Sequence, residues 1–252
     1  MSRLPSFVAL LAVTIGGWNI TATSAQEFRI ESDVFLGKEK EPFAQHLTLF
    51  TDSLVYDFTL AGPNEITIFD PQRGEILLLD VAKQQQTKVA VAELLEITSK
   101  IRSLAEKNDA SAVIVPEFEV DSGQDVIELK SKRVVYRAVG NRARQPNAAA
   151  RYREFADHSA RLNAMRPGNA PPFGRLELNR ELSNKGLLPE KIERTIRTGG
   201  IFSKQSAHSE HLVYWQLSNT DRQRIQDVAG YLVSYRKVGL KQYLKGDRVA
   251  AK

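Results

Sequence analysis

His208-Ser209-Glu210-His211 is the cluster in this chain that most resembles a set of metal ligands. Zinc needs three or four donors converging on one point. Side chains alternate along a strand, so His208 and Glu210 would share a face while His211 points away from them. No metal site is expected from that spacing. Glu117 and Glu119 alternate with Phe118 and Val120, the pattern of a half-exposed strand rather than of two carboxyls converging for acid–base work. Asp57 and Asp80 each interrupt an apolar run. A carboxylate taken out of water needs a partner, and the plain alternative is an outward-facing residue or a strand end. GxSxG, Walker, HExxH and GxGxxG patterns are missing from the sequence. There is no cysteine, which excludes a thiol nucleophile, cysteine-bound zinc, disulfides and a lipid-modified N-terminal cysteine. No enzyme activity and no cofactor are expected.

Charge is distributed unevenly. Lys130 to Arg166 holds ten Lys/Arg against two acids, a net +8 that exceeds the +5 of the whole 252-residue chain. Such a basic stretch suits an anionic membrane surface or an acidic polymer, and its plain alternative is a solvated helix face and loop. Residues Phe7 to Gly16 form a short apolar run after Arg3, followed by the small residues Thr23, Ser24 and Ala25. A charged start, a short apolar core and a small-residue end describe a secretory leader, with cleavage expected after Ala25. The run falls short of the ~20 apolar residues of a spanning helix, although an uncleaved anchor is the alternative. An exported protein does not meet nucleic acid, so none is expected as a partner. Cleavage would take Arg3 with it, lowering the formal charge to +4.

The elements that must position these groups follow from periodicity. Phe28, Ile30, Val34 and Leu36 share parity, with polar residues opposite. Strands are read at Leu47–Phe50, Leu54–Leu60, Glu65–Phe69 and Ile76–Val81, joined by turns such as Asp70-Pro71-Gln72-Arg73-Gly74. From Val91 the period becomes helical and ends near Asn108. Strands resume at Ala112–Val120, Val126–Lys130 and Arg133–Val139; helices are read from Pro146 to Arg166 and from Phe173 to Asn184. Strands at Glu190–Arg197 and His211–Leu217 follow, and Thr220 with Gln223 reads as a capping box for a closing helix. The fold class is α+β: a curved antiparallel sheet, half-barrel-like, with helices packed over one face. One domain over 26–252 is expected, with 146–186 as a candidate helix-rich insertion.

The stretch Gln45–Asp80, strand (HLTLF), tight turn, strand (LVYDF) and then EITIFDPQRGEILLLD, resembles the meander of the LolA/LolB lipoprotein-carrier superfamily. The resemblance covers some 40–50 residues and implies an unclosed barrel whose concave apolar surface holds acyl chains. The helix after Ala90, the block from Pro146 to Gly186 and the closing helix depart from that pattern.

Three readings follow. The first is a soluble envelope protein that buries an acyl chain, lipid or lipidated partner without a covalent step. Its wall would be Phe58, Phe69, Leu77 and Leu79, with Arg142, Arg144, Arg151 and Arg153 facing headgroups. The second is an envelope interaction or assembly domain whose cavity is filled by its own side chains. The third, a hydrolase acting on envelope polymer, would require convergent carboxylates in a polar cleft.

Overall fold

A computed structural model of the protein describes residues 26–166, 168–197 and 204–245. The expected leader over residues 1–25 lies outside the described residues. Strands β1 (Phe28–Leu36), β2 (Ala44–Phe50), β3 (Val55–Ala61), β4 (Glu65–Asp70), β5 (Glu75–Asp80) and β6 (Gln85–Ala90) form a meander that leads into helix α1 (Val91–Lys107). A single turn, α2 (Ser111–Ile114), precedes β7 (Glu119–Ser122), β8 (Val126–Lys130) and β9 (Val134–Arg142). Helices α3 (Ala148–Ala164) and α4 (Phe173–Asn184) come next, then β10 (Leu187–Arg197), β11 (Lys204–Tyr214), α5 (Asn219–Ser234), β12 (Arg236–Lys237) and α6 (Leu240–Lys245).

All the strands join one open sheet, in the order β12-β6-β5-β4-β3-β2-β1-β11-β10-β9-β8-β7. Every pairing is antiparallel except β12 on β6, so the sheet is mixed and the class is α+β. Turn chemistry sits where the residues predict it. Asp70 accepts the Arg73 N–H at 3.0 Å, and Gly74 takes the left-handed conformation (φ 61°) that closes the β4–β5 hairpin. The strands β9 and β10 pair directly, so α3 and α4 lie in the connection between two sheet neighbours.

Strand alternation divides the apolar residues between two faces. Phe28, Ile30, Phe50, Val55, Phe69, Ile76, Leu78 and Val89 form one cluster with Leu94 of α1, with Tyr152 and Phe155 of α3, and with Tyr243 of α6. Leu178 and Leu182 of α4 extend that layer over Ile127, Leu129, Ala138 and Ile192. On the other face Leu47, Leu49, Tyr56, Phe58, Ile66, Ile68 and Leu79 pack under Val228, Ile225, Tyr231 and Tyr235 around α5. Each fully buried side chain of this size removes enough apolar surface from water to contribute about 1.5–3 kcal/mol.

The expectation of helices over one face is therefore corrected: α5 covers the second face of β2–β5. The reason is visible in β5, where Ile76 and Leu78 serve one layer and Leu77 and Leu79 the other. A strand apolar on both sides requires a cover on both sides.

Gln84 takes a left-handed conformation (φ 50°) at the turn into β6, and two local readings, the strand at Ala112–Val120 and the capping box, change. Gln86 is buried and donates to the Leu232 and Tyr235 carbonyls at 3.0 and 2.8 Å, satisfying acceptors at the end of α5. Ala112–Val120 is not one strand. The Ala110 carbonyl accepts from Val113 and Ile114 and winds α2, and only Glu119 onward pairs with β8. The capping box starts two residues earlier than read. Ser218 accepts the Asp221 N–H at 3.1 Å, and the Asp221 carboxylate accepts the Ser218 N–H at 2.7 Å. Thr220 lies within the helix and is exposed.

At Gly174 helix α4 lies close against the side chains of Tyr136 and Phe118. A methyl group added there would stand 2.5 Å from Cε2 of Tyr136 and 3.0 Å from the Phe118 ring. Tyr136 is buried and cannot swing clear without opening the layer. Gly174→Ala is expected to lower stability by about 1–3 kcal/mol, read as a lower urea midpoint at unchanged slope.

Candidate functional site

The face under α5 brings together most of the residues read as ligand wall. Leu79 is fully buried, Leu77 and Val81 pack in the same cluster, and Phe58 lies two strands away on the same face, with Ile66 between it and Leu79 in register. The layer is not closed at its margin. A groove of about 330 Å³ opens between β3, β4 and α5, lined by Phe58, Leu60, Ile66, Val81 and Tyr231. Thr59, Asn64, Arg224 and Asp227 form its polar rim. Leu60 is 49% exposed, a large apolar side chain left in water at the mouth. Asp227 accepts from Gln223 at 2.9 Å, whereas Arg224 has no ion pair among the described residues. Of the wall residues named from sequence only Phe58 lines the groove; Leu77 and Leu79 do not, and Leu60, Ile66, Val81 and Tyr231 were missed as wall and Arg224 as rim. The signal for Ile66 was its alternation with Thr67; nothing in the sequence places α5 over this face.

Phe69 does not join them. It lies on the opposite face, fully buried, with its ring centroid 5.0 Å from that of His158 in α3. The four arginines also separate. Arg142 and Arg144 are exposed at and just beyond the end of β9. Arg151 points inward from α3: it donates to the Gln26 carbonyl at 2.6 Å and to the Thr51 carbonyl. Its guanidinium lies 5.6 and 5.8 Å from the centroids of Phe28 and Phe50, which are themselves stacked at 4.1 Å. Arg151 is thus a fastening of α3 to the β1 and β2 termini and faces no headgroup. Arg153 lies in a cleft of about 640 Å³ between α1, α3, α4 and the segment before β7. There Arg102, Arg161 and Arg180 alternate with Glu106, Glu117, Asp157 and Glu177, and Arg180 is 2.5 Å from Glu177.

A polar row crosses the covered face between its apolar clusters. His211 is hydrogen-bonded through Nδ1 to Ser32 and through Nε2 to Ser209, both at 2.8 Å. Asp57, flagged by its position inside an apolar strand, has its partners: His46 Nδ1 at 3.0 Å and the Thr48 hydroxyl at 2.7 Å. Burial works against a charge on His46, but the Asp57 hydrogen bond and carboxylate outweigh it and raise its pKa. Burial pushes the Tyr152 hydroxyl up, against the opposing effect of Arg175, which donates to it at 2.9 Å. Asp80 is a strand end: it accepts the Lys83 N–H at 2.9 Å and pairs with the Lys83 ammonium at 2.5 Å. His208 stacks on Phe35 on the face away from His211, and no group of three His, Asp or Glu side chains is placed to hold a metal among the described residues.

The fold and these sites define an α+β protein with an open, predominantly antiparallel sheet, covered by helices on both faces, with a charged cleft among the helices of one face and a smaller groove beside α5 on the other. No protein-family model matches the chain, and no curated protein does. No helix among the described residues is long and apolar enough to cross a membrane.

Proposed function

We propose that the chain is a non-catalytic envelope protein, exported by its leader, that holds an apolar chain from a lipid or lipidated partner in the groove beside α5. The observation that carries this reading is the groove itself, with an apolar wall, a mouth at Leu60 and on its rim Arg224, which has no ion pair among the described residues. A volume of about 330 Å³ suits a single acyl chain rather than a folded segment. Burying its methylenes supplies the affinity, and the guanidinium at the rim complements an acidic head. The resemblance of Gln45–Asp80 to the lipoprotein carriers points to the same ligand class.

The test is displacement of a fluorescent long-chain fatty acid from the purified protein. Leu60→Asp puts a charge into the mouth at a position already exposed and is expected to weaken binding at least tenfold. Leu104→Asp, on the exposed side of α1, is expected to leave it within twofold. Absence of uptake, or equal binding by both variants, removes the reading. A second reading, an assembly domain without a small ligand, has one observation in its favour. The face under α1, α3 and α6 is filled by the chain's own Phe28, Phe50, Tyr152 and Phe155.

A further inference from the structure

We infer that the protein docks on anionic phospholipid membranes through a row of three cations, Arg133, Arg197 and Lys204, that the sheet register places side by side. This goes beyond the groove and names a different surface. Ile196 is the register partner of Val134, and the Arg197 N–H donates to the Arg133 carbonyl at 2.7 Å, so Arg133 stands opposite Arg197. Lys204 on β11 is the register partner of Arg197 from the other side. Neighbouring strands lie ~4.8 Å apart, which sets three positive side chains across roughly 10 Å. Register partners share a face, and this is the face of Arg137, Glu193 and His208, away from α3 and α4.

Like charges directly opposite one another destabilise a sheet. Here two such oppositions follow in succession, and among the described residues no acid pairs with any of the three. All three side chains are exposed and make no ion pair among the described residues. Glu193, farther along β10, lies 3.6 Å from Arg137 and 3.5 Å from Lys191. Glu128 is 3.1 Å from Lys130, and Glu119 is the register partner of Lys130 on the β7 side. Lys132, in the β8–β9 turn, adds a further exposed cation. An acid at position 197 would satisfy both neighbours, and the chain instead keeps a repulsive arrangement. An external layer of phosphates gives that arrangement a role. A row on the outer side of a sheet presents its charges to a plane, which a bilayer surface is and a single polymer strand is not.

The experiment is vesicle flotation of the purified protein, comparing phosphatidylglycerol-containing with pure phosphatidylcholine vesicles at low and physiological salt. The wild-type protein is expected to float with the anionic vesicles only, less so as salt rises. Arg197→Glu is expected to reduce that anionic-lipid-dependent fraction at least tenfold and, by turning two repulsions into two attractions, to raise Tm by about 1–4 °C. Arg142→Glu with Arg144→Glu is expected to change flotation less than twofold. Three results overturn the inference: equal flotation on both vesicle types, flotation retained by Arg197→Glu with its Tm gain present, or retention by an anionic polysaccharide without vesicle binding. Fatty-acid displacement needs no vesicle, so failure here and failure of the groove reading are read separately.

Discussion

Acidification from pH 7.5 to 5 is expected to cost this fold up to about 4 kcal/mol of stability through two histidines buried in their neutral form, before the opposing contribution of His46. His211 has Ser32 and Ser209 on its two ring nitrogens. Burial, with the nearby charges of Arg175 and His46, lowers its pKa to about 3. His158 lies against Phe69 with Nδ1 buried and without a hydrogen-bond partner among the described residues, and burial together with Arg161 lowers its pKa to about 4. Between the unfolded value near 6.5 and these depressed values the unfolded chain binds protons that the native state refuses. Stability is therefore full above about pH 6.5 and falls as the pH drops below it, by about 2 kcal/mol per histidine at pH 5. His46 works in the opposite sense. Its raised pKa contributes stability at low pH that disappears as pH rises, and so offsets part of the loss. Urea unfolding at several pH values measures the slope, and His211→Gln is expected to remove about half of it. A stability that stays flat from pH 7.5 to 5 would sink the assignment of these histidines as neutral and buried.

Arg151→Ala is expected to destabilise the protein by about 3 kcal/mol, the second large effect. The guanidinium holds two carbonyls, Gln26 and Thr51, from the approaches to two different strands, and covers the stacked pair Phe28–Phe50. Truncation leaves those acceptors without their donor and removes the guanidinium from beside rings that otherwise pack on Trp215 and Phe155. Burial lowers the pKa of Arg151 against the opposing charges of Asp52, Glu154 and Glu27, and among the described residues it forms no ion pair, so its packing role does not derive from one. Arg151→Lys keeps the charge but cannot span both carbonyls, and an intermediate loss is expected. Arg144→Ala, at an exposed position, is expected to stay within about 0.5 kcal/mol. Denaturant midpoints separate the three. Fatty-acid affinity of the folded fraction is expected to be unchanged in all of them, because none touches the groove.

Alternation made the apolar face legible but not the groove. Phe58, Leu77 and Leu79 are apolar at positions that a meander must bury and share one cluster, yet only Phe58 lines the groove. Phe69 was grouped with them because residue type says that a side chain will be buried but not on which side. It is adjacent to Ile68, so the two must face opposite ways, and pairing with β3 and β5 decides which face each takes. The arginines failed as a group for a similar reason. Arg151 and Arg153 are two residues apart on a helix, hence about 200° around its axis, and one turns to the core while the other enters a cleft. The expectation that Asp57 needs a partner was a statement of energy rather than geometry, and its partners came from the neighbouring strand.

What this sequence determined by itself was local: the period-two strands of the first half, their turn residues, the two-sided apolar character of β5, and the helices with an apolar stripe. These rest on interactions within a few residues, where backbone sterics and alternation leave little choice. Tertiary structure alone decided what covers each face and which distant charges become neighbours. Arg133, Arg197 and Lys204 are separated by tens of residues or by a hairpin, and only the hydrogen-bond register of β9, β10 and β11 sets them in one row. A one-residue slip would send Arg197 to the other face. Register is fixed by burial of Ile192, Ala138 and Ile127 beneath α4, a condition no single strand contains.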